Sequence, residues 1–160
     1  MSNLRRSWSP KGIRAVLPQQ QAYSNGYLFS AVSPITGEDF HLLLPAMTSD
    51  IMKIFLLELK KQHPDKEVVL VWDNAPCHRR KDLHNIKGLT LINLPSYSPE
   101  LNPIERYFEE IRRITANMIF KSLDKCEELI IEAVNGWSDP ERLKRLLGYG
   151  WILEQWGEVI

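Results

Sequence analysis

Five consecutive apolar residues, Val68-Val69-Leu70-Val71-Trp72, closed directly by Asp73, constrain this chain more than any other feature. A strand alternating apolar and polar residues keeps one face wet. An unbroken, β-branched run instead predicts a short strand buried on both faces, as in the parallel part of an α/β sheet. Such sheets gather ligands at the carboxyl ends of their strands, where Asp73 falls. A second apolar run, Leu89 to Leu94, stops at Pro95 and predicts another strand.

Upstream, Tyr23 to Val32 and Asp39 to Leu44 predict two strands, joined as a hairpin by Ser33-Pro34-Ile35-Thr36-Gly37-Glu38. Thr48 or Ser49 caps a predicted helix that carries Ile51, Ile54, Phe55 and Leu59 on one face and stops at His63-Pro64. A long helix is predicted from near Asn102 to about Phe120. Its residues Ile104, Tyr107, Phe108, Ile111, Ile114 and Met118 recur at spacings of three and four, which makes the stripe core rather than a cofactor box. Ser122 caps a further helix with Cys126, Leu129, Ile130, Ala133 and Trp137 inward, Asp139-Pro140 opens a short one ending at Gly148, and the tail reads as helical. Met1 to Gly12, with Arg5, Arg6 and Lys11 around Trp8 and Pro10, reads as an irregular arm. This order of elements predicts a mixed sheet with helices on its faces, and 160 residues without repeat or linker predict one domain.

Composition narrows the function. The 20 basic and 20 acidic residues cancel, which argues against holding nucleic acid by bulk charge, so any DNA affinity must come from local clusters. No apolar stretch approaches a membrane span or a signal peptide, and a cytoplasmic protein is expected. Cys77 and Cys126 are too few and too far apart for a disulfide framework or a four-thiolate zinc site.

Two carboxylates stand where chemistry is expected, each beside a plainer reading. Asp73 could simply begin a turn and accept from backbone amides. Glu105, third after Asn102 and Pro103, completes a capping-box arrangement. Taken together they supply what a hard divalent cation requires, since Mg2+ takes one or two carboxylates and leaves room for water and phosphate. Two such ions clamp the attacking and leaving oxygens of an in-line phosphoryl displacement, a chemistry that calls for a third acid.

Val71-Trp72-Asp73-Asn74-Ala75-Pro76-Cys77-His78, followed by Ser96-Tyr97-Ser98-Pro99-Glu100-Leu101-Asn102-Pro103-Ile104-Glu105, resembles the DDE transposases of the mariner superfamily, in its bacterial insertion-sequence branch. The 31 residues between Asp73 and Glu105 are slightly fewer than is usual there. Arg6 to Gly12 resembles the segment after that family's first strand and Leu146 to Ile152 its C-terminal helix region, so the likeness covers nearly all the chain. It implies an RNase H-like fold with Asp73 ending the fourth strand and Glu105 on the helix after the fifth. Both are implied as catalytic residues and ligands of Mg2+ or Mn2+, two ions in the complete site, with Asn74, His78 and Asn102 in support or positioning phosphate. His78 also has a plain hydrogen-bonding reading. Arg5, Arg6, Lys11, Arg79, Arg80, Lys81, Arg112 and Arg113 would contact DNA phosphates without reading sequence, or form solvated surface.

The resemblance also implies what to look for elsewhere. The family's first catalytic aspartate lies on a central first strand, upstream of the segment matched by Arg6 to Gly12; Glu38, Asp39 and Asp50 fall in the hairpin or at a helix cap and do not replace it. The expectation is a sheet lacking its central strand, with its neighbours' hydrogen bonds open, and no helix-turn-helix region before it. Expected partners are DNA, as transposon ends and target, and a second copy or the product of an upstream reading frame. The implied activity is metal-dependent cleavage and strand transfer during DNA transposition. Against it stand an inactive remnant that binds DNA or intact transposase, and a general RNase H-like nuclease, a reading the long Ser96 to Glu105 motif disfavours.

Overall fold

The computed structural model describes residues 11, 26–78, 80–116, 118, 120 and 122–157. Arg5, Arg6, Arg79, the arm before Lys11 and the part of the first predicted strand before residue 26 therefore lie outside the described residues. Strands β1 (Tyr27–Val32) and β2 (Asp39–Leu44) form the predicted antiparallel hairpin, in register from Tyr27 opposite Leu44 to Val32 opposite Asp39. Its turn is closed by Ser33 N–H to Glu38 O (2.8 Å) and Gly37 N–H to Ser33 O (2.9 Å), with Gly37 at φ 72.

The hairpin is the middle layer. Tyr27, Phe29, Ala31, Phe40, Leu42 and Leu44 face helix α1 (Ser49–Gln62), whereas Leu28 and Val32 face the helices that follow. Thr48 caps α1 as expected, its Oγ1 accepting from the Ile51 amide at 3.3 Å. The buried stripe differs from the predicted one: Met52, Phe55, Leu56 and Leu59 are buried and Ile54 is 47% exposed. This helix has more apolar residues than one face can hold, and the 52, 55, 56, 59 set keeps all four within a single stripe.

Strands β3 (Val68–Trp72) and β4 (Leu89–Asn93) pair in parallel, from Val68 beside Leu89 to Trp72 beside Asn93. The expectation that β3 is buried on both faces fails. Val68, Leu70 and Trp72 pack into the α1 cluster, but Val69 and Val71, with Ile92 next to them, stay about half exposed. The later helices instead cover the hairpin: α2 (Ile104–Thr115), α3 (Leu123–Trp137) and α4 (Pro140–Leu147) bury Tyr107, Ile111, Val134, Trp137, Leu143 and Leu147 against Leu28 and Val32.

Helix α2 is shorter than predicted. Ala116 turns to extended backbone (φ −67, ψ 141), the Thr115 hydroxyl donates back to the Ile111 and Arg112 carbonyls, and Ile114 and Met118 are exposed. A hydroxyl folded onto its own helix competes with continuation of the ladder. Ser122 and Asp139 cap α3 and α4 as expected, accepting from the Lys125 and Arg142 amides at 3.3 and 2.7 Å, and α5 (Gly150–Gly157) forms the helical tail.

Among the described residues the two strand pairs are not hydrogen-bonded to each other: β1 pairs with β2 alone and β3 with β4 alone. A groove of about 800 Å³ is lined by Tyr27 to Ser30 of β1, Leu70 to Trp72 of β3 and residues of α1, α2 and α3. Asp73 and Glu105 are among the residues that line this groove.

Candidate metal-binding cleft

The ladder of β3 and β4 runs one bond past the last paired residues, Leu94 N–H to Trp72 O at 2.8 Å, so Asp73 emerges at the carboxyl mouth of the parallel pair. Its Oδ1 accepts from the Ala75 amide at 3.1 Å, which is the turn role the sequence left open. The same oxygen lies 2.8 Å from His78 Nδ1, which is also 2.9 Å from the Asp73 carbonyl. His78 ends a 3-10 turn at Pro76–His78 and stacks flat on Trp72, ring centroids 4.1 Å apart and 7° from parallel. Stacking fixes the imidazole, and the imidazole holds one oxygen of Asp73. Both contacts use Oδ1, and the side chain remains 58% exposed.

Glu105 is in the first turn of α2, but the predicted capping box does not form. The residue before the helix is Pro103, in helical conformation and without a side-chain cap, while Asn102 closes the Pro99–Leu101 turn through its own N–H and accepts from the Glu105 amide through its backbone carbonyl. Asn102 is extended and Pro103 helical, so the boundary lies where the sequence placed it, but the Asn102 N–H that the Glu105 carboxylate would cap is given to the Pro99 carbonyl. The Glu105 carboxylate is thus not spent on a cap. Arg112 Nη2, one face along the same helix, lies 4.0 Å from Glu105 Oε2, and its guanidinium sits 5.9 Å from the Phe108 ring centroid.

The structure brings Asp73, Asn74, Asn102 and Glu105 to one cleft of about 310 Å³, walled by the loop from Leu94 to Pro99. Asn74 Nδ2 donates to Ser96 Oγ at 3.3 Å across it. His78 stands behind Asp73, on the groove side. The donors present are carboxylates and amide oxygens, and they fit a hard divalent ion of the Mg2+ or Mn2+ kind. They do not fit a soft metal: the Cys77 thiol is pushed upward by burial and so is not a ready thiolate. Among the described residues no group of three His, Cys, Asp or Glu side chains converges, so the cleft has two carboxylates.

The predicted basic residues scatter. Arg80 donates to both oxygens of Asp82 and to Asp50, which raises its already high pKa and ties it to a surface cluster with Lys53. Arg113 pairs with Glu110 at 2.9 Å, Lys11 and Lys81 are exposed, and of the described members of the set only Arg112 lines the groove. Sequence reading missed the Ser96 and Tyr97 wall of the cleft, although its flanking Pro95 and Pro99 announced a constrained loop. It also missed a half-buried network: His41 lies between Ser30 Oγ (2.8 Å from Nδ1) and Asp39 Oδ2 (2.9 Å from Nε2), stacked on Tyr107, and Asp39 accepts further from Ser138 Oγ at 2.6 Å.

Comparison with known proteins gives the family and the fold. The family model described as DDE superfamily endonuclease matches residues 1–129. A protein of Sinorhizobium fredii, "Uncharacterized protein y4pE/y4sA", is 32% identical over 114 residues, 70% of this chain and 82% of that protein. Among solved structures, the Mos1 transposase paired-end complex with left transposon end superposes with a TM-score of 0.66 at 19% identity, over 92% of this chain, and the Mos1 strand transfer complex at 0.65 and 18%. These two share the fold, and this chain spans about half of their length, 47% and 46%.

Proposed function

We propose, from the premise that this chain belongs to the DDE superfamily endonucleases, that it forms part of a transposase that cuts DNA at a mobile element's end and joins the freed 3' hydroxyl to target DNA. The observation carrying this reading is the placement of Asp73 and Glu105 on the rim of one cleft at the carboxyl end of a parallel strand pair. The two carboxylates would hold Mg2+ or Mn2+, which when bound supplies Lewis acidity at the scissile phosphate. His78 keeps Asp73 oriented from behind, and Asn74 and Asn102, which line the same cleft, would offer their side-chain amides to phosphate oxygens. Arg112 offers a positive charge beside Glu105 to a phosphate lying along the groove. The protein would work in the cytoplasm on DNA; no described helix is long and apolar enough to cross a membrane.

The third carboxylate this chemistry calls for would enter on a strand docked between β1 and β3, whose facing edges are unpaired among the described residues. Whether that strand belongs to the same polypeptide or to a second one does not alter the geometry required.

The test is nicking of supercoiled plasmid in Mn2+ by the wild-type chain, Asp73→Asn and Glu105→Gln. Conversion to open circle that both substitutions abolish supports the reading, and nicking that survives both sinks it. A second reading, a noncatalytic DNA-binding remnant, is favoured by the two-carboxylate count among the described residues. It predicts DNA binding without nicking by any of the three chains.

A further inference from the structure

Tyr97 combines two properties that folding alone does not explain. It is the non-glycine residue with positive φ (60) among the described residues, and it is 100% exposed. A Cβ disfavours that backbone region, so the conformation persists only where its surroundings enforce it. Here the enforcement is local: Pro95 and Pro99 bracket the loop, Leu94 is bonded back to Trp72, Ser96 accepts from Asn74, and Leu101 N–H returns to Ser98 O at 3.2 Å. The loop is anchored on both sides of a residue whose side chain no described residue covers. Tyr97 is one of the residues that line the cleft containing Asp73 and Glu105.

We infer that Tyr97 is a stacking platform for an unpaired nucleobase next to the phosphate that enters the cleft. This rests on the proposed action on DNA and goes beyond it, because phosphate-directed chemistry needs no base contact. A phosphodiester seated at the two carboxylates places its flanking nucleotides within a residue or two of the cleft wall. Aromatic rings stack on any base whose face is exposed, without reading its identity. The partner is therefore a splayed or frayed DNA strand, and the selectivity is for unpairing, not for sequence.

Two DNAs test this, both with Ca2+ in place of Mg2+ so that no strand is cut: a fully paired duplex and the same duplex with one unpaired 2-aminopurine. Wild type and Tyr97→Phe should quench the 2-aminopurine and prefer the unpaired DNA. In Tyr97→Ala and Tyr97→Gly the quench should vanish and the preference should fall about tenfold, with affinity for the paired duplex unchanged. Glycine suits φ 60, so Tyr97→Gly should melt at or above the wild-type temperature, which separates loss of the ring from loss of fold. Equal quenching and equal preference in all four proteins would overturn the inference alone. Failure of wild type to bind either DNA would overturn the inference together with the DNA reading beneath it.

Discussion

His41 shows how single residues hold the middle layer. Its ring is satisfied as the neutral form, Nε2–H donating to Asp39 and Nδ1 accepting from the Ser30 hydroxyl. Burial lowers its pKa, outweighing the opposing pull of Asp39, while burial raises Tyr107 so that the phenol stays protonated. The folded protein therefore binds a proton at His41 less readily than the unfolded chain does. Stability from this site is complete above the ordinary histidine range near 6.5 and is lost as pH falls below it. Urea midpoints should drop between pH 7.5 and 5, and His41→Gln should flatten that slope. At the cleft, His78→Ala removes the group orienting Asp73 and should weaken Mn2+ binding about tenfold while the fold survives, as read by calorimetry and far-UV circular dichroism. Asp73 and Glu105 were legible as candidates because a strand end and a motif spacing are backbone facts. The capping box was misread because the Asn102 N–H it needs is taken by the preceding 3-10 turn, which depends on how the loop packs.

At the scale of elements, the hairpin turn is locked against α4. A Cβ on Gly37 would lie 2.3 Å from the Pro140 carbonyl oxygen, and Gly37 has φ 72, so backbone strain and a backbone clash coincide. Gly37→Ala should cost about 2–4 kcal/mol, read as a lowered urea midpoint at unchanged m-value. Leu83 and Leu56 are fully buried in the cluster that joins α1 to β3 and β4, and replacing either with alanine should cost about 2–5 kcal/mol. The strands, the caps at Thr48, Ser122 and Asp139 and the order of helices were readable, since each depends on a short-range pattern. The buried stripe of α1, the early end of α2 at Thr115 and the open outer face of β3 were not. These follow from which apolar residues find a partner across the molecule: α2, α3 and α4 settle on the hairpin and leave Val69, Val71 and Ile92 uncovered.

The described residues form two strand pairs beside a groove, with α1 packed against both pairs and Asp73 and Glu105 lining both groove and cleft. An edge strand presents a row of unpaired amides that templates another strand. Hydrogen exchange should therefore be faster at the groove-facing amides of β1 and β3 than at those bonded within each pair. Everything proposed for the cleft requires that Asp73 and Glu105 share a divalent ion. The most direct measurement is Mn2+ titration followed by electron paramagnetic resonance, for wild type, Asp73→Asn, Glu105→Gln and a surface control, Glu58→Gln. The account predicts a bound Mn2+ signal that each cleft substitution removes and the control retains. Equal Mn2+ binding by all four proteins, or none by wild type, would contradict it.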